Sequence, residues 1–231
     1  MSVGWTKAEQ AQKVAEQLQP RSYVNLGIGM PGVVVNAVRP EDGVVFHCEN
    51  GIIGFRPLGP NDAVDSDIID AGSQPVAFIQ GAAVVAHDVS FMIARGPHLD
   101  ATVLGAYQVS ARGDLANWKT PEALIAGVGG AMDLATGAKK VIVMMRHQDR
   151  DGRSKIVEEC TYPLTAVRCV TLIVTDLAVI SITDRGLIVE ECAPGVTAES
   201  LQAATDAPLQ FQPQVGWTDL AAVQAQPAEH T

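Results

Sequence analysis

Five consecutive residues, His47-Cys48-Glu49-Asn50-Gly51, bring a base, a thiol and a carboxylate together in front of a turn. Val44-Val45-Phe46 before them is β-branched and aromatic and reads as a buried strand. Asn-Gly after them is the dipeptide best able to take a positive φ and reverse the chain. The carboxylate of Glu49 is thereby held at the carboxyl end of a buried strand, where open α/β sheets place their ligands. Alternation along the strand puts His47 and Glu49 on one face and Cys48 on the other. On this pentapeptide alone, Glu49 as a strand-end acid facing water is the simpler reading.

Two glycine clusters could contribute backbone donors. Gly27-Ile28-Gly29-Met30-Pro31-Gly32 follows the strand-like Tyr23-Val24-Asn25-Leu26 and precedes a helix expected over 33–38, with Pro31 suited to its first turn. Gly27, Gly29 and Gly32 match G-x-G-x-x-G, and Glu49 is an acid at the end of the next strand, as a dinucleotide fingerprint requires. Two other readings stand beside it: glycines that only let a strand turn tightly, or N–H groups cradling another anion. Gly127-Val128-Gly129-Gly130 opens a helix at Ala131, where unpaired N–H groups could hold an anion or oxyanion, unless the glycines are merely a flexible connection. Asp62, Asp65, Asp67 and Asp70 lack the spacing of a calcium loop and read as a solvated acidic face.

The elements that must position these groups alternate. Thr6 and Glu9 form a capping box for a first helix carrying Trp5, Ala8, Ala11, Val14, Ala15 and Leu18 on one stripe. Beyond Gly51 come a Pro/Gly-rich loop over 56–61, a turn at Gly72-Ser73-Gln74, a strand over 75–80 and a helix over 87–94. A long apolar run over 99–109 reads as a central strand, and Asp114 to Trp118 as a polar-rimmed turn. A strand over 141–145 and a charged turn over 149–155 follow. Strands over 172–182 and 187–191 are hinged at Asp184-Arg185-Gly186, and Thr197 caps a last short helix reaching 205. The expectation is an α/β fold, an open, mostly parallel sheet with flanking helices and a terminal antiparallel hairpin. One domain over 1–209 is expected, with a frayed tail over 210–231 rich in Gln, Ala and Pro.

Composition narrows the partners. The formal charge of −10 disfavours nucleic acid and makes the chain by itself a poor host for a polyanion. No apolar run is long enough to cross a bilayer, and the N-terminus lacks the pattern of a signal peptide. Cys48, Cys160, Cys169 and Cys192 form no C-x-x-C pair and read as reduced thiols of a cytoplasmic protein, with neither a zinc nor an iron–sulfur pattern.

Several segments occur together and in order: Val24-Asn25-Leu26-Gly27-Ile28-Gly29, Glu49-Asn50-Gly51, Gly113-Asp114-Leu115-Ala116-Asn117-Trp118, Gly129-Gly130-Ala131-Met132-Asp133, Cys160-Thr161-Tyr162-Pro163-Leu164-Thr165 and Thr175-Asp176-Leu177-Ala178-Val179. Over about residues 3 to 209 the chain resembles the B (beta) subunits of the 3-oxoacid CoA-transferases, and its later segments look most like the 3-oxoadipate branch. The resemblance implies a CoA-transferase fold, coenzyme A as substrate with no permanently bound cofactor, a separate A (alpha) subunit completing the cleft in a hetero-oligomer, and Glu49 as covalent nucleophile. Transfer from an acyl-CoA such as succinyl-CoA to a 3-oxoacid would then be ping-pong, through a glutamyl-CoA thioester. Gly129 and Gly130 are the oxyanion candidates, and Asn25, Gly27, Gly29, Asn50, Gly51 and Ser73 the substrate or CoA contacts. On this reading Cys48 is core, and His98 and His147 are structural. A hydrolase of CoA esters, a nicotinamide-dependent oxidoreductase and a catalytically silent subunit are the alternatives. Two departures from the family pattern stand out. Ser73 occupies a position where a lysine is usual, leaving open whether another cation such as Arg56 or Arg95 has replaced it, and Pro97 stiffens Arg95-Gly96-Pro97-His98.

Overall fold

The computed structural model describes residues 3–121 and 127–212. In chain order it contains α1 (Lys7–Ala15), β1 (Tyr23–Leu26), β2 (Val45–His47), β3 (Ile52–Pro57), β4 (Val76–Val84), α2 (His87–Arg95), β5 (Ala101–Leu104), β6 (Gln108–Ser110) and β7 (Leu115–Ala116). Then come α3 (Ala131–Gly137), β8 (Val141–Met144), β9 (Ile156–Val157), β10 (Leu172–Val174), β11 (Ala178–Thr183), β12 (Gly186–Cys192), α4 (Ala198–Ala203) and β13 (Leu209–Phe211).

Ten strands form one sheet in the order β13-β12-β11-β10-β8-β5-β1-β2-β3-β4, and β7-β6-β9 form a small second sheet. The five central strands β10, β8, β5, β1 and β2 are parallel neighbours. Hairpins β2–β3–β4 and β10–β11–β12 extend the sheet antiparallel on both sides, and β13 returns parallel to β12. The open, mostly parallel sheet with flanking helices is therefore as expected. The nearly continuous apolar sequences of the central strands, with Thr102 the exception, follow from burial on both faces: Ala101 to Leu104, Val141 to Met144 and Leu172 to Val174 are buried throughout.

Local signals account for several boundaries. Thr6 and Glu9 close their capping box, and Trp5, Ala11 and Val14 are buried beneath α1, whereas Ala8 of the expected stripe faces water. Thr197 caps α4 in the same way. The hairpin at Asp184-Arg185-Gly186 joins β11 to β12.

Four expectations are corrected. Arg56 and Pro57, placed in a loop, end strand β3 opposite Ala77 and Val76. The run over 99–109 is two strands, because the chain leaves the large sheet at Gly105-Ala106-Tyr107 and continues as β6 in the small one. The run over 172–182 is also two strands, broken at Thr175-Asp176-Leu177, where the Thr175 hydroxyl accepts from the N–H groups of Leu177 and Ala178 and folds the chain back. Strand β13 carries the sheet past 209 and through Gln210, where a frayed tail was expected to begin; residues 213–231 of that tail lie outside the described residues.

Two histidines are locked inside this framework. His147 is 1% exposed and sits between the hydroxyls of Thr175 and Thr205, each 2.9 Å from a ring nitrogen. His47 is equally buried. Burial pushes both pKa values down to about 4 from 6.5, so both are neutral in the folded protein at pH 7. The unfolded chain takes up these protons first as pH falls below about 6.5, so stability is full above that pH and declines towards pH 4, by at most roughly 3 kcal/mol per histidine. Thermal unfolding followed from pH 7 to pH 4.5 should show this decline, and His147→Gln should flatten it. A melting temperature that stays level over that range would contradict this account.

Candidate functional site

The central strands set where a ligand can sit. From β1 the chain passes to β2 on one side, and after the β3–β4 hairpin it returns as β5 on the other side of β1. The strand order therefore reverses at β1, and a crevice opens at the carboxyl ends there. A cleft of about 420 Å³ occupies this position. It is lined by residues at or just beyond the ends of four parallel strands: Leu26 and Gly27 after β1, Glu49 after β2, Gly105 after β5 and Met145 after β8. The start of α3 forms another wall with Gly129, Gly130 and Leu134.

Glu49 enters the cleft from the turn between β2 and β3. The Cys48 N–H donates to Ile52 O at 2.8 Å, and the Gly51 N–H donates to Cys48 O at 3.0 Å, which closes the turn. Gly51 has φ +112°, and the carbonyl oxygen of Val85 lies where its Cβ would be, so no other residue fits there. Asn50 is exposed and donates its side-chain amide to Ile69 O at 2.7 Å. Asn50 and Gly51 thus shape the turn without lining the cleft. The Glu49 side chain is half-buried and has neither a hydrogen-bond nor an ion-pair partner among the described residues. Burial raises its pKa, and the nearby His87 opposes the rise.

A chain of buried polar groups supports that turn. Asn25 of β1 lies beside His47 in the parallel register and donates to His47 O at 3.2 Å. A carbonyl can only accept, so the amide nitrogen faces His47 and must also donate to Nδ1, 3.1 Å away. His47 Nε2 therefore carries the hydrogen and donates to Ser90 Oγ at 3.0 Å, and Ser90 in turn donates to Cys48 O at 3.3 Å. Thr102 closes the other end by donating to Asn25 Oδ1 at 3.1 Å. Asn25, expected as a substrate contact, is 1% exposed and has its amide engaged in this network. Cys48 is core: its Sγ accepts from Ala71 N–H, and burial raises its pKa to about 11.

Gly129 and Gly130 line the same cleft as Glu49. A Cβ on Gly130 would overlap Glu49 Oε2 and lie 2.8 Å from the Phe91 ring, although its φ of −83° suits any residue. Gly129 needs its freedom for the opposite reason, with open space around it but φ +65°. Neither N–H has an acceptor among the described residues.

The remaining expected contacts divide. Gly27 and Ile28 line both the Glu49 cleft and a neighbouring groove of about 430 Å³, whereas Gly29 lines only the groove. After Gly27-Ile28-Gly29-Met30 the chain forms a 3-10 helix over Pro31–Asn36, not an α-helix, so the strand–turn–helix of a dinucleotide fingerprint is not completed. Ser73 lines neither cavity; it is exposed at φ +60° on a turn tied by Asp70, which accepts from the N–H groups of Gly72 and Gln74. Arg56 is paired with Asp62 at 2.5 Å, and Arg95 with Asp133 at 2.8 Å, and neither lines the Glu49 cleft. Among the described residues no group of three or more His, Cys, Asp or Glu could hold a metal, and no helix is long and apolar enough to cross a membrane.

Sequence reading missed Lys155, which lines the Glu49 cleft although it belongs to what reads as a surface turn. The signal was its place directly before the apolar Ile156-Val157, which turned out to be the buried strand β9.

Comparison with known proteins agrees with this geometry. Residues 7–204 match the Coenzyme A transferase family. The chain is 49% identical over 205 residues to the B (beta) subunit of 3-oxoadipate CoA-transferase from Pseudomonas putida, covering 88% of this chain and 96% of that one. It is 41% identical over 196 residues to the corresponding subunit of the succinyl-CoA:3-ketoacid coenzyme A transferase of Helicobacter pylori, covering 85% and 94%. In fold it is similar to an acyl-CoA transferase of Escherichia coli O157:H7, with TM-score 0.73 and 18% identity; the match covers 91% of this chain but only 42% of that longer one. With its family match, these two beta-type relatives and a cleft at the sheet's switch point, the chain belongs to the coenzyme A transferase family.

Proposed function

We propose that Glu49 is the covalent nucleophile of a 3-oxoacid CoA-transferase and that this chain works together with an alpha subunit. The observation that carries the reading is the unpartnered, half-buried Glu49 carboxylate at the floor of the cleft. A carboxylate ionised at neutral pH needs no general base, and one without hydrogen bonds is free to attack. Attack of Glu49 on the thioester carbonyl of an acyl-CoA, such as succinyl-CoA, breaks the C–S bond, giving a mixed anhydride and CoA thiolate. The thiolate then attacks the glutamyl carbonyl, releasing the donor acid and leaving a glutamyl-CoA thioester. The acceptor, a 3-oxoacid such as 3-oxoadipate, reverses the two steps and leaves as its CoA ester. In this reading the N–H groups of Gly129 and Gly130 are the candidate donors to the oxyanion of each tetrahedral species.

The partner follows from what the cleft lacks. Its anhydride and thioester are open to hydrolysis unless water is kept out. Ile28 and Tyr107 line the cleft and are 64% and 42% exposed, and an alpha subunit seated on them would cover them and close the cleft. The names of the beta-type relatives, and the more than twofold greater length of the similar acyl-CoA transferase chain, support a second half. A partner surface would also offset a charge of −10 that is adverse to a ligand rich in phosphate.

Glu49→Gln in the assembled enzyme should lower transfer by more than about a thousandfold. Because the folded protein raises the pKa of Glu49, the charged form is penalised above that pKa, and the variant should melt at or above the wild-type temperature. Incubating the enzyme with acyl-CoA alone should leave CoA on Glu49. A peptide map placing the adduct on the alpha subunit would assign the nucleophile to the partner. Thioester loss without an acceptor would mark a hydrolase, and assembly without any activity a silent subunit.

Gly130→Ala tests the oxyanion wall. The new methyl group must displace the Glu49 carboxylate, so kcat should fall by roughly tenfold to a hundredfold while the melting temperature changes by only a few degrees. Unchanged turnover in this variant would remove Gly130 from the site.

A further inference from the structure

Lys155 is a partly buried cation without a partner. Among the described residues its ammonium group makes no ion pair and no side-chain hydrogen bond. Its backbone is fixed: the N–H donates to His147 O at 3.0 Å, and its carbonyl accepts from the Val109 N–H at 2.9 Å. The side chain lines the Glu49 cleft and also an adjoining cleft of about 960 Å³, with Tyr107 shared between the two.

The acids near Lys155 are engaged elsewhere. Asp149 accepts from the N–H groups of Asp151 and Arg153, and Asp176 takes the His147 N–H and the Arg146 guanidinium. Burial lowers the pKa of Lys155 to about 8, against the weaker pull of these two acids, so the group is still mostly charged at pH 7. A cation taken out of water with nothing to pair with is costly, and an anionic ligand would relieve that cost. The two arginines that could have replaced the lysine missing at position 73 are both paired, which leaves Lys155, among the described residues, as the free cation of this cleft.

The other walls of the cleft bear on which anion fits. Leu104, Ala106, Met144 and Met145 line the same cleft and suit a methylene chain rather than a hydrated group. The adjoining cleft carries five acids against four cations, a poor setting for the phosphates of CoA. We propose that Lys155 receives the distal carboxylate of a dicarboxylic acyl group whose reacting carboxyl lies at Glu49, and so selects dicarboxylic over monocarboxylic acids. This rests on the transferase reading given above. Succinyl and 3-oxoadipyl groups carry such a carboxylate and acetoacetyl does not, so donor and acceptor would use the subsite in turn.

The test compares Lys155→Met and Lys155→Arg with wild type in the assembled enzyme. The ratio of kcat/KM for 3-oxoadipate to that for acetoacetate should fall about tenfold or more in the Met variant and recover in the Arg variant. Adipate, titrated calorimetrically with no acyl-CoA present, should bind the Met variant about tenfold more weakly. A ratio and an adipate affinity within about twofold of wild type in a folded Met variant would overturn the subsite. So would weakened CoA binding with adipate unaffected, which would make Lys155 a phosphate contact. Adipate binding does not involve the chemistry of Glu49. Lys155-dependent adipate binding without a CoA adduct would therefore keep the subsite and lose the nucleophile, and an adduct with Lys155-independent adipate binding would do the reverse.

Discussion

Asn25 gives both amide hydrogens to one neighbour, His47, and this pairing fixes the end of β2 on which the cleft is built. Each group in the sequence Thr102, Asn25, His47, Ser90 and Cys48 O has its direction set by a carbonyl that can only accept. The network ties together β5, β1, β2 and α2, the elements that surround Glu49. A buried polar chain of this kind is stabilising only when every member is satisfied, so it tolerates one arrangement and rejects near alternatives. The reach of Glu49 is set less by its own contacts than by the residues beneath it.

The same site contains groups left unmatched. Glu49 and Lys155 are both partly buried ions without partners among the described residues, and Gly129 and Gly130 have N–H groups without acceptors there. Each would be a defect in a core whose other polar groups are paired with few exceptions. On the proposed reading, the unmatched groups gathered around one cleft would meet a ligand with an electrophilic carbonyl, a developing oxyanion and an anionic end. The acid-sensitive histidines are the opposite case, fully paired and neutral, and they hold the frame on which the site depends.

Much of this was legible because local chemistry and global position agreed. Thr6 and Glu9 announce their helix, Asn50-Gly51 announces the reversal, and the glycines before Ala131 announce a helix start with free N–H groups. What failed were the long apolar runs. Residues 99–109 satisfy the pattern of one strand, and nothing in their hydrophobicity records that Gly105 lets the chain change sheets. Asn25, which the resemblance implied as a substrate or CoA contact, instead meets His47, 22 residues away and joined to it only by the parallel register. Lys155 was missed because charge in a turn signals exposure, whereas the burial of its side chain is imposed by β9 and β6, which pair only in three dimensions.

Ser73 shows how an altered position can be understood only with its surroundings. The turn that carries it is stabilised by Asp70, and Ser73 itself occupies the left-handed region, where side chains other than Asn and Asp are disfavoured. Its exposed side chain lines neither the Glu49 cleft nor the neighbouring groove. Lys155 reaches the cleft from a backbone bonded on both sides, and the cleft that it shares with Glu49 also has apolar walls. In a drier setting a charge interacts more strongly with a ligand than it does in open solvent. A serine at position 73 therefore does not leave the Glu49 cleft without a cation, because Lys155 lines that cleft and Ser73 does not.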